Sequence, residues 1–405
     1  MSALLASVRT FFAGPWRAVA VLGVTQILAW GAIYYTPVLM VPLIAAERGW
    51  SLAFTMGGYS LGILSAGIAA RHVGSLIDRL GGHRVMPFGS LLGALGLLLI
   101  PFAAHWTAYL GVWVLLGVAM AASLYDPAFA TLGRIFGTAA RQPITVLTLA
   151  GAFASTVSWP ATRVFIDTIG WQSTYVLYAA LLAFIAAPLH AFALPRSRAV
   201  TELPAQSDAG ARPPAPPVLS PRGPAFLLVV AAFAIYAFIP SGLLAHLLAM
   251  FGRLGIDPGT AVLIGTLFGP CQMLARLGEF VFARNVHPLF VARFAVGVLS
   301  VAFVLLAVFG LSVALAAMFM IMLGLCNGLI TIARGTVPLA LFGASGYGRL
   351  LGRIAGPSLA IQAAAPLIVA FVAERTSDVT AIALTGCLAA VSFICFLMIR
   401  RPRPA

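Results

Sequence analysis

A chain of 405 residues that is 61% hydrophobic and only 8% charged, with a mean hydropathy of +1.04, lies far outside the range of a soluble domain and is read as an all-α polytopic membrane protein. Its formal charge of +14 and pI near 10.8 would point to nucleic acid in a soluble protein. In a membrane protein the basic residues are judged by the loops they occupy, and no polyanionic partner is needed.

A bilayer-spanning helix needs about 20 apolar residues. Runs of that size are predicted near 17–44, 52–77, 85–104, 107–132, 143–166 and 172–194, then near 225–250, 259–283, 289–309, 312–341, 355–373 and 379–399. Arg9 and Arg17 precede the first run without a small-residue cleavage site, so it is expected as an uncleaved helix. Between the two sets, 195–224 holds eight prolines with Arg196, Arg198, Glu202, Asp208, Arg212 and Arg222 and no apolar period. It reads as a linker. The expected organisation is a six-helix half over 1–194, a linker over 195–224 and a second half over 225–405. Cys271, Cys326, Cys387 and Cys395 all fall inside apolar runs and read as small buried hydrophobes, with no disulfide or metal framework and no cofactor expected.

One short stretch concentrates charge: Gly74-Ser75-Leu76-Ile77-Asp78-Arg79-Leu80-Gly81-Gly82-His83-Arg84. Four ionisable side chains within seven residues belong at a membrane face, because bare charge is costly in lipid. The stretch is predicted as a loop. Its pattern, Gly74, Asp78, Arg79 and Gly81 followed by basic Arg84, resembles the loop between the second and third helices of the major facilitator superfamily of secondary transporters. Gly82 and His83 stand where that family usually has bases. The resemblance implies twelve transmembrane helices in two six-helix pseudo-repeats, alternating access, a solute site at the interface of the halves near the midplane, and a gating role for Gly74, Asp78, Arg79, Gly81 and Arg84. Asp78 can pair with a base or accept helix N-terminal donors.

All 24 basic residues are arginine. With both termini in the cytoplasm, 17 fall on the inner side: Arg9, Arg17, Arg79, Arg84, Arg134, Arg141, Arg196, Arg198, Arg212, Arg222, Arg284, Arg293, Arg349, Arg353, Arg400, Arg401 and Arg403. Only Arg48, Arg163, Arg253 and Arg375 fall outside, which fixes the orientation expected in a bacterial inner membrane. A shift of 207 positions places Gly58 on Gly265, Gly62 on Gly269 and Gly117 on Gly324.

Arg71, Arg276 and Arg334, with Asp126 and Glu279, sit within the spans, where an ionised group is a functional candidate because lipid exposure costs about 2.5–3.5 kcal/mol or more. Gln272, Arg276 and Glu279 share one helical face by their spacing of four and three. This face is expected to point toward a water-filled cavity. A guanidinium fork suits a carboxylate. An arginine at this place in the eighth helix resembles the carboxylate-binding arginine of the monocarboxylate and oxalate carriers, as do Gly49-Trp50-Ser51, Gly170-Trp171 and Gly151. Gln362 stands where the oxalate carrier has a lysine. The alternative for Arg276 is an intramembrane pair with Glu279. Asp126, beside Pro127, either titrates as a proton carrier or pairs with Arg71 or Arg134. Arg334 is either a second anion site or a snorkelling arginine. Tyr34 and Asn327 are the preferred polar cavity candidates, ahead of Gln26, Trp30, Tyr35, Tyr236 and His246. Drug antiporters of the superfamily carry an arginine where this chain has Trp113, and a glycine-proline pair where it has Ser158-Trp159-Pro160.

The expected function is proton-coupled transport of a small organic solute, a carboxylate by preference, by a monomer in the lipid bilayer. Drug or metabolite efflux and a non-transporting solute sensor are the alternatives. No nucleophile triad, phosphate loop or carboxylate pair supports an enzyme.

Overall fold

The computed structural model describes residues 14–196 and 218–400, so most of the expected linker, together with Arg9, Arg198, Arg212, Arg401 and Arg403, lies outside the described residues. The described residues are helical almost throughout. It divides into a first unit, 1–215 with 343–356, and a second, 216–342 with 357–405. The stretch 343–356, assigned to the second half by the sequence, therefore packs with the first unit.

In the first unit, α1 (Arg17–Ala29) leads through a π turn (Trp30–Tyr35) into α2 (Pro37–Arg48). Pro37 has no N–H, which interrupts the α ladder just there. The Thr36 amide instead reaches back five residues to the Gly31 carbonyl, at 3.1 Å, and the Thr36 hydroxyl donates to the same oxygen at 2.6 Å. Next come α3 (Leu52–Leu80), capped by the Ser51 hydroxyl, and α4 (Gly82–Leu99). The expected loop at 74–84 is thus helix up to Leu80, and the turn is compressed into Gly81 (φ 85, ψ 156), a conformation that favours glycine.

Further on, α5 (Trp106–Ser123) breaks at Leu124 before α6 (Tyr125–Phe136). Pro127 cannot donate to the Ser123 carbonyl four residues back, and the Gln26 side-chain amide takes that oxygen at 2.7 Å. A 3₁₀ turn (Gly137–Ala140) precedes α7 (Arg141–Leu181), which bends at Gly170 and continues through π turns at Leu182–Ala186 and Leu189–Ala193.

The second unit holds α8 (Pro224–Arg253), α9 (Pro258–Thr266), α10 (Phe268–Phe282), α11 (Pro288–Phe309), α12 (Val313–Phe342) and α14 (Asp378–Met398). The remaining helix, α13 (Tyr347–Arg375), starts in the first unit. Among the described residues ten helical runs are long and apolar enough to cross a membrane. One of them, Trp106–Ala193, is 88 residues long and contains the breaks at Leu124 and Gly170, which is consistent with the expected twelve spans.

Internal packing repeats between the units. In the first, α3 and α4 both pack on α5; in the second, α10 and α11 both pack on α12. Small residues set these approaches. A Cβ on Gly117 would strike the Gly62 carbonyl, and one on Gly324 would lie 2.6 Å from the Phe268 carbonyl, the same contact within one residue of the 207-position shift. Large apolar side chains such as Phe184, Phe192 and Phe282 are more than three-quarters exposed, as expected of a lipid-facing surface.

Candidate functional site

Each unit carries polar and aromatic groups that the sequence singled out. In the second, Arg276 and Glu279 lie on α10, each only 3% exposed, and an Arg276 Nη2–H donates to Gln272 Oε1 at 2.5 Å. Leu274, Leu277, Val281 and Phe282 take the exposed side of the same helix. The expected one-sided helix is therefore present, with Arg276 and Glu279 buried and Gln272 half-buried on its polar side. The approach is fixed by Gly328 of α12, which packs against the Gln272 carbonyl. On α12, half-buried Asn327 accepts from the Tyr236 hydroxyl of α8 at 3.1 Å. Arg334 is half-buried on the same helix. Gln362 is half-buried on α13 and its carbonyl accepts from Ser241 at 2.8 Å.

In the first unit, half-buried Tyr34 belongs to an aromatic cluster raised by the π turn. Its ring centroid lies 4.6 Å from Trp30, 5.4 Å from Tyr35 and 5.9 Å from Tyr59; Trp30 also lies 4.9 Å from Tyr125, and Tyr35 5.8 Å from Trp159. The expected sharing of a face by Trp30 and Tyr34 is met. The partners Tyr59, Tyr125 and Trp159 come from other helices and had no signal in the local sequence. Gln26, a cavity candidate by sequence, is fully buried with both ends engaged, its amide by Ser123 and its Oε1 by Trp30 Nε1 at 3.0 Å, and so serves the helix break.

Asp126 occupies the first turn of α6, at the positive end of that helix. Arg134 lies eight residues along the same helix, a rise of about 12 Å. It donates to the Asp78 backbone carbonyl, and Arg71 is exposed on α3.

The charged stretch itself is tightly built. The two carboxylate oxygens of Asp78 accept from the Gly348 and Arg349 backbone amides at 2.8 and 2.7 Å, so Asp78 caps the free N–H groups at the start of α13. Gly74 lets this happen: a Cβ there would strike the Gly348 carbonyl. Gly348, Gly352 and Gly356 in turn face Gly74, Ala70 and Gly67 along α3. Arg79, Arg84 and Arg349 are exposed around this contact.

Two clusters escaped the sequence reading. His190, fully buried, lies 3.0 Å from the Ser90 hydroxyl and 2.8 Å from that of Thr25, tying three helices together. At the far end of the unit, Glu47 accepts from Trp171 Nε1 at 2.6 Å and from Gln172, while Arg48 donates to the carbonyls of Ala103 and Ile100 at 2.6 and 2.7 Å beneath the rings of Trp50, Tyr109 and Trp171. The tryptophans after Gly49 and Gly170 were visible in the sequence; that they meet around one guanidinium was not.

A family model described as the Major Facilitator Superfamily matches residues 22–354. The chain belongs to that superfamily and is a multi-pass integral membrane protein. Human monocarboxylate transporter 11 is 33% identical over 174 residues, 42% of this chain and 33% of the relative, so the chain spans about a third of the length of this curated relative. The fold is similar to that of the human organic anion transporter MFSD10 (TETRAN), with a TM-score of 0.71 at 15% identity over 95% of this chain and 99% of that one. It is similar also to that of the E. coli fucose:proton symporter FucP, whose outward conformation gives 0.70 at 16% identity over 95% and 99%.

Proposed function

We propose that this protein carries a small organic carboxylate across the membrane by alternating access, with proton coupling through Asp126 or Glu279. The observation that carries this reading is Arg276, 3% exposed within an apolar span and oriented by Gln272 at 2.5 Å. A buried guanidinium offers a carboxylate two parallel charge-assisted bonds, and a span keeps such a costly group where it has work to do. The relative's name, a monocarboxylate transporter, agrees with an anionic solute. Tyr34, Asn327, Arg334 and Gln362 are the other solute-contacting candidates, and Asp78 with Gly74, Arg79, Gly81 and Arg84 forms the gating group. We further read the protein as a monomer in a bacterial inner membrane, with two six-helix halves joined by a cytoplasmic linker and both termini in the cytoplasm.

Purified protein in proteoliposomes, given a panel of labelled monocarboxylates with and without an inward proton gradient, tests the proposal. Uptake that rises with the gradient and falls at least tenfold in Arg276→Lys is expected, because lysine keeps the charge and loses the fork. Undiminished uptake by the variant removes Arg276 from the site. The aromatic cluster around Tyr34 favours a second reading, efflux of an apolar or amphipathic compound. In that case such compounds, and no carboxylate, exchange against protons.

A further inference from the structure

Three rings in the first span share a face that an α-helix would not give them. In an α-helix only residues three or four apart are neighbours on one face, so Trp30 would meet Tyr34 and lose Tyr35. The π turn, closed by a link across five residues, brings Tyr35 back: Trp30 lies 4.6 Å from Tyr34 and 5.9 Å from Tyr35. Such turns occur often at functional sites. Tyr59 of α3, Tyr125 of α6 and Trp159 of α7 extend the group to six rings. Five are half-buried and Trp159 is exposed, so the group is a surface and not core.

The helix that carries Trp159 shows which medium this surface meets. Phe153, Val157 and Val164 form one exposed apolar stripe along α7, suited to lipid. Thr156, Trp159, Arg163 and Asp167, at spacings of three and four, form a separate exposed stripe. Arg163 and Asp167 pair at 2.9 Å with more than half of each side chain exposed, a contact that belongs in water. Trp159, one turn before Arg163, therefore opens the aromatic group to the wet side of the helix.

What these rings offer is mostly hydrocarbon face. Trp30 Nε1 is spent on Gln26 Oε1 at 3.0 Å, Trp159 Nε1 on the Tyr35 carbonyl at 3.3 Å, and the Tyr59 hydroxyl on the Tyr34 carbonyl at 3.4 Å. A sugar needs hydrogen-bonding partners that these three rings have already engaged. A short aliphatic acid is too small to cover such a wall. A flat ring stacks on it, edge to face or offset.

We infer that the solute is an aryl-substituted monocarboxylate, its ring held against Tyr34, Tyr35 and Trp159. This inference rests on the proposed transport of a carboxylate and narrows it to a class.

Full-length protein in proteoliposomes is given labelled phenyllactate, 3-cyclohexyllactate and lactate, and uptake above that of protein-free liposomes is measured. The three probes share one carboxylate and differ only in the group beyond it. A KM for phenyllactate at least tenfold below that for lactate is expected, and about two- to tenfold below that for 3-cyclohexyllactate, the share due to ring-on-ring contact. Trp159→Leu should lower the preference for phenyllactate over 3-cyclohexyllactate to less than twofold. Phe153→Leu, on the apolar stripe, should keep it. Because the preference is a ratio within one protein, loss of folded material does not move it. Equal KM values for the phenyl and cyclohexyl acids, or an unaltered preference in Trp159→Leu, overturns the aryl assignment and leaves carboxylate transport standing. Uptake of none of the three removes the carboxylate reading itself, and the aryl assignment with it.

Discussion

Asp78 acts as the side-chain cap of a helix whose second residue, Gly348, lies 270 positions later in the chain. Losing a cap costs about 0.5–2 kcal/mol, so Asp78→Ala should lower the thermal midpoint in detergent, and Asp78→Asn, which keeps one acceptor, should lower it less. Equal midpoints for all three proteins would show that the cap adds nothing to stability. At this scale the sequence was informative wherever spacing along one helix decides the geometry. Gln272, Arg276 and Glu279 share a face as expected, and Trp30 meets Tyr34. It failed where partners come from elsewhere: nothing local says that Gln26 must serve a carbonyl freed by Pro127, or that Arg134 serves the Asp78 carbonyl.

Among elements, the contact of α3 with the start of α13 depends on Gly74. Adding one methyl there drives it into the Gly348 carbonyl, an overpacking that costs about 1–3 kcal/mol. Gly57, on the same helix, has nothing within 4 Å of a Cβ. Gly74→Ala should therefore lower the thermal midpoint, while Gly57→Ala should hold or raise it, since alanine is the better helix former by about 1 kcal/mol. A matching drop in both would mean that the helix as such is sensitive, and the contact is not. Most helices were legible to within a few residues because each is a long apolar run, but α13 begins at Tyr347, eight residues before the expected 355. The π turns were not, since they arise from a missing proline N–H and from tertiary packing and leave no periodic mark. The charged stretch misled in one respect: polar residues that look like a loop in fact extend α3 to Leu80, with Gly74 packed on Gly348 and Asp78 capping α13 while Arg79 and Leu80 stay exposed.

For the whole molecule, the arginine distribution predicts both termini in the cytoplasm. A fluorescent protein fused after Ala405 should be bright, and a phosphatase fused there inactive; the reverse pattern would invert the topology. The succession of long apolar spans was legible because lipid allows so few solutions. The cargo was not, since it is set by a handful of side chains spread over several spans. One last feature bears on how the first span is built. A π turn contains one residue more than the α-helix it interrupts, and each residue of an α-helix turns the chain by about 100°. The five-residue link from Thr36 to Gly31 therefore sets the phase of everything before it against everything after. A natural or engineered chain shortened by one residue between Trp30 and Tyr35 would lose the extra residue of the π turn, while Pro37 would still lack its N–H. It would then rotate Gln26 away from Ser123 by that angle, so that a single deletion would rewrite the aromatic wall without changing any of its residues.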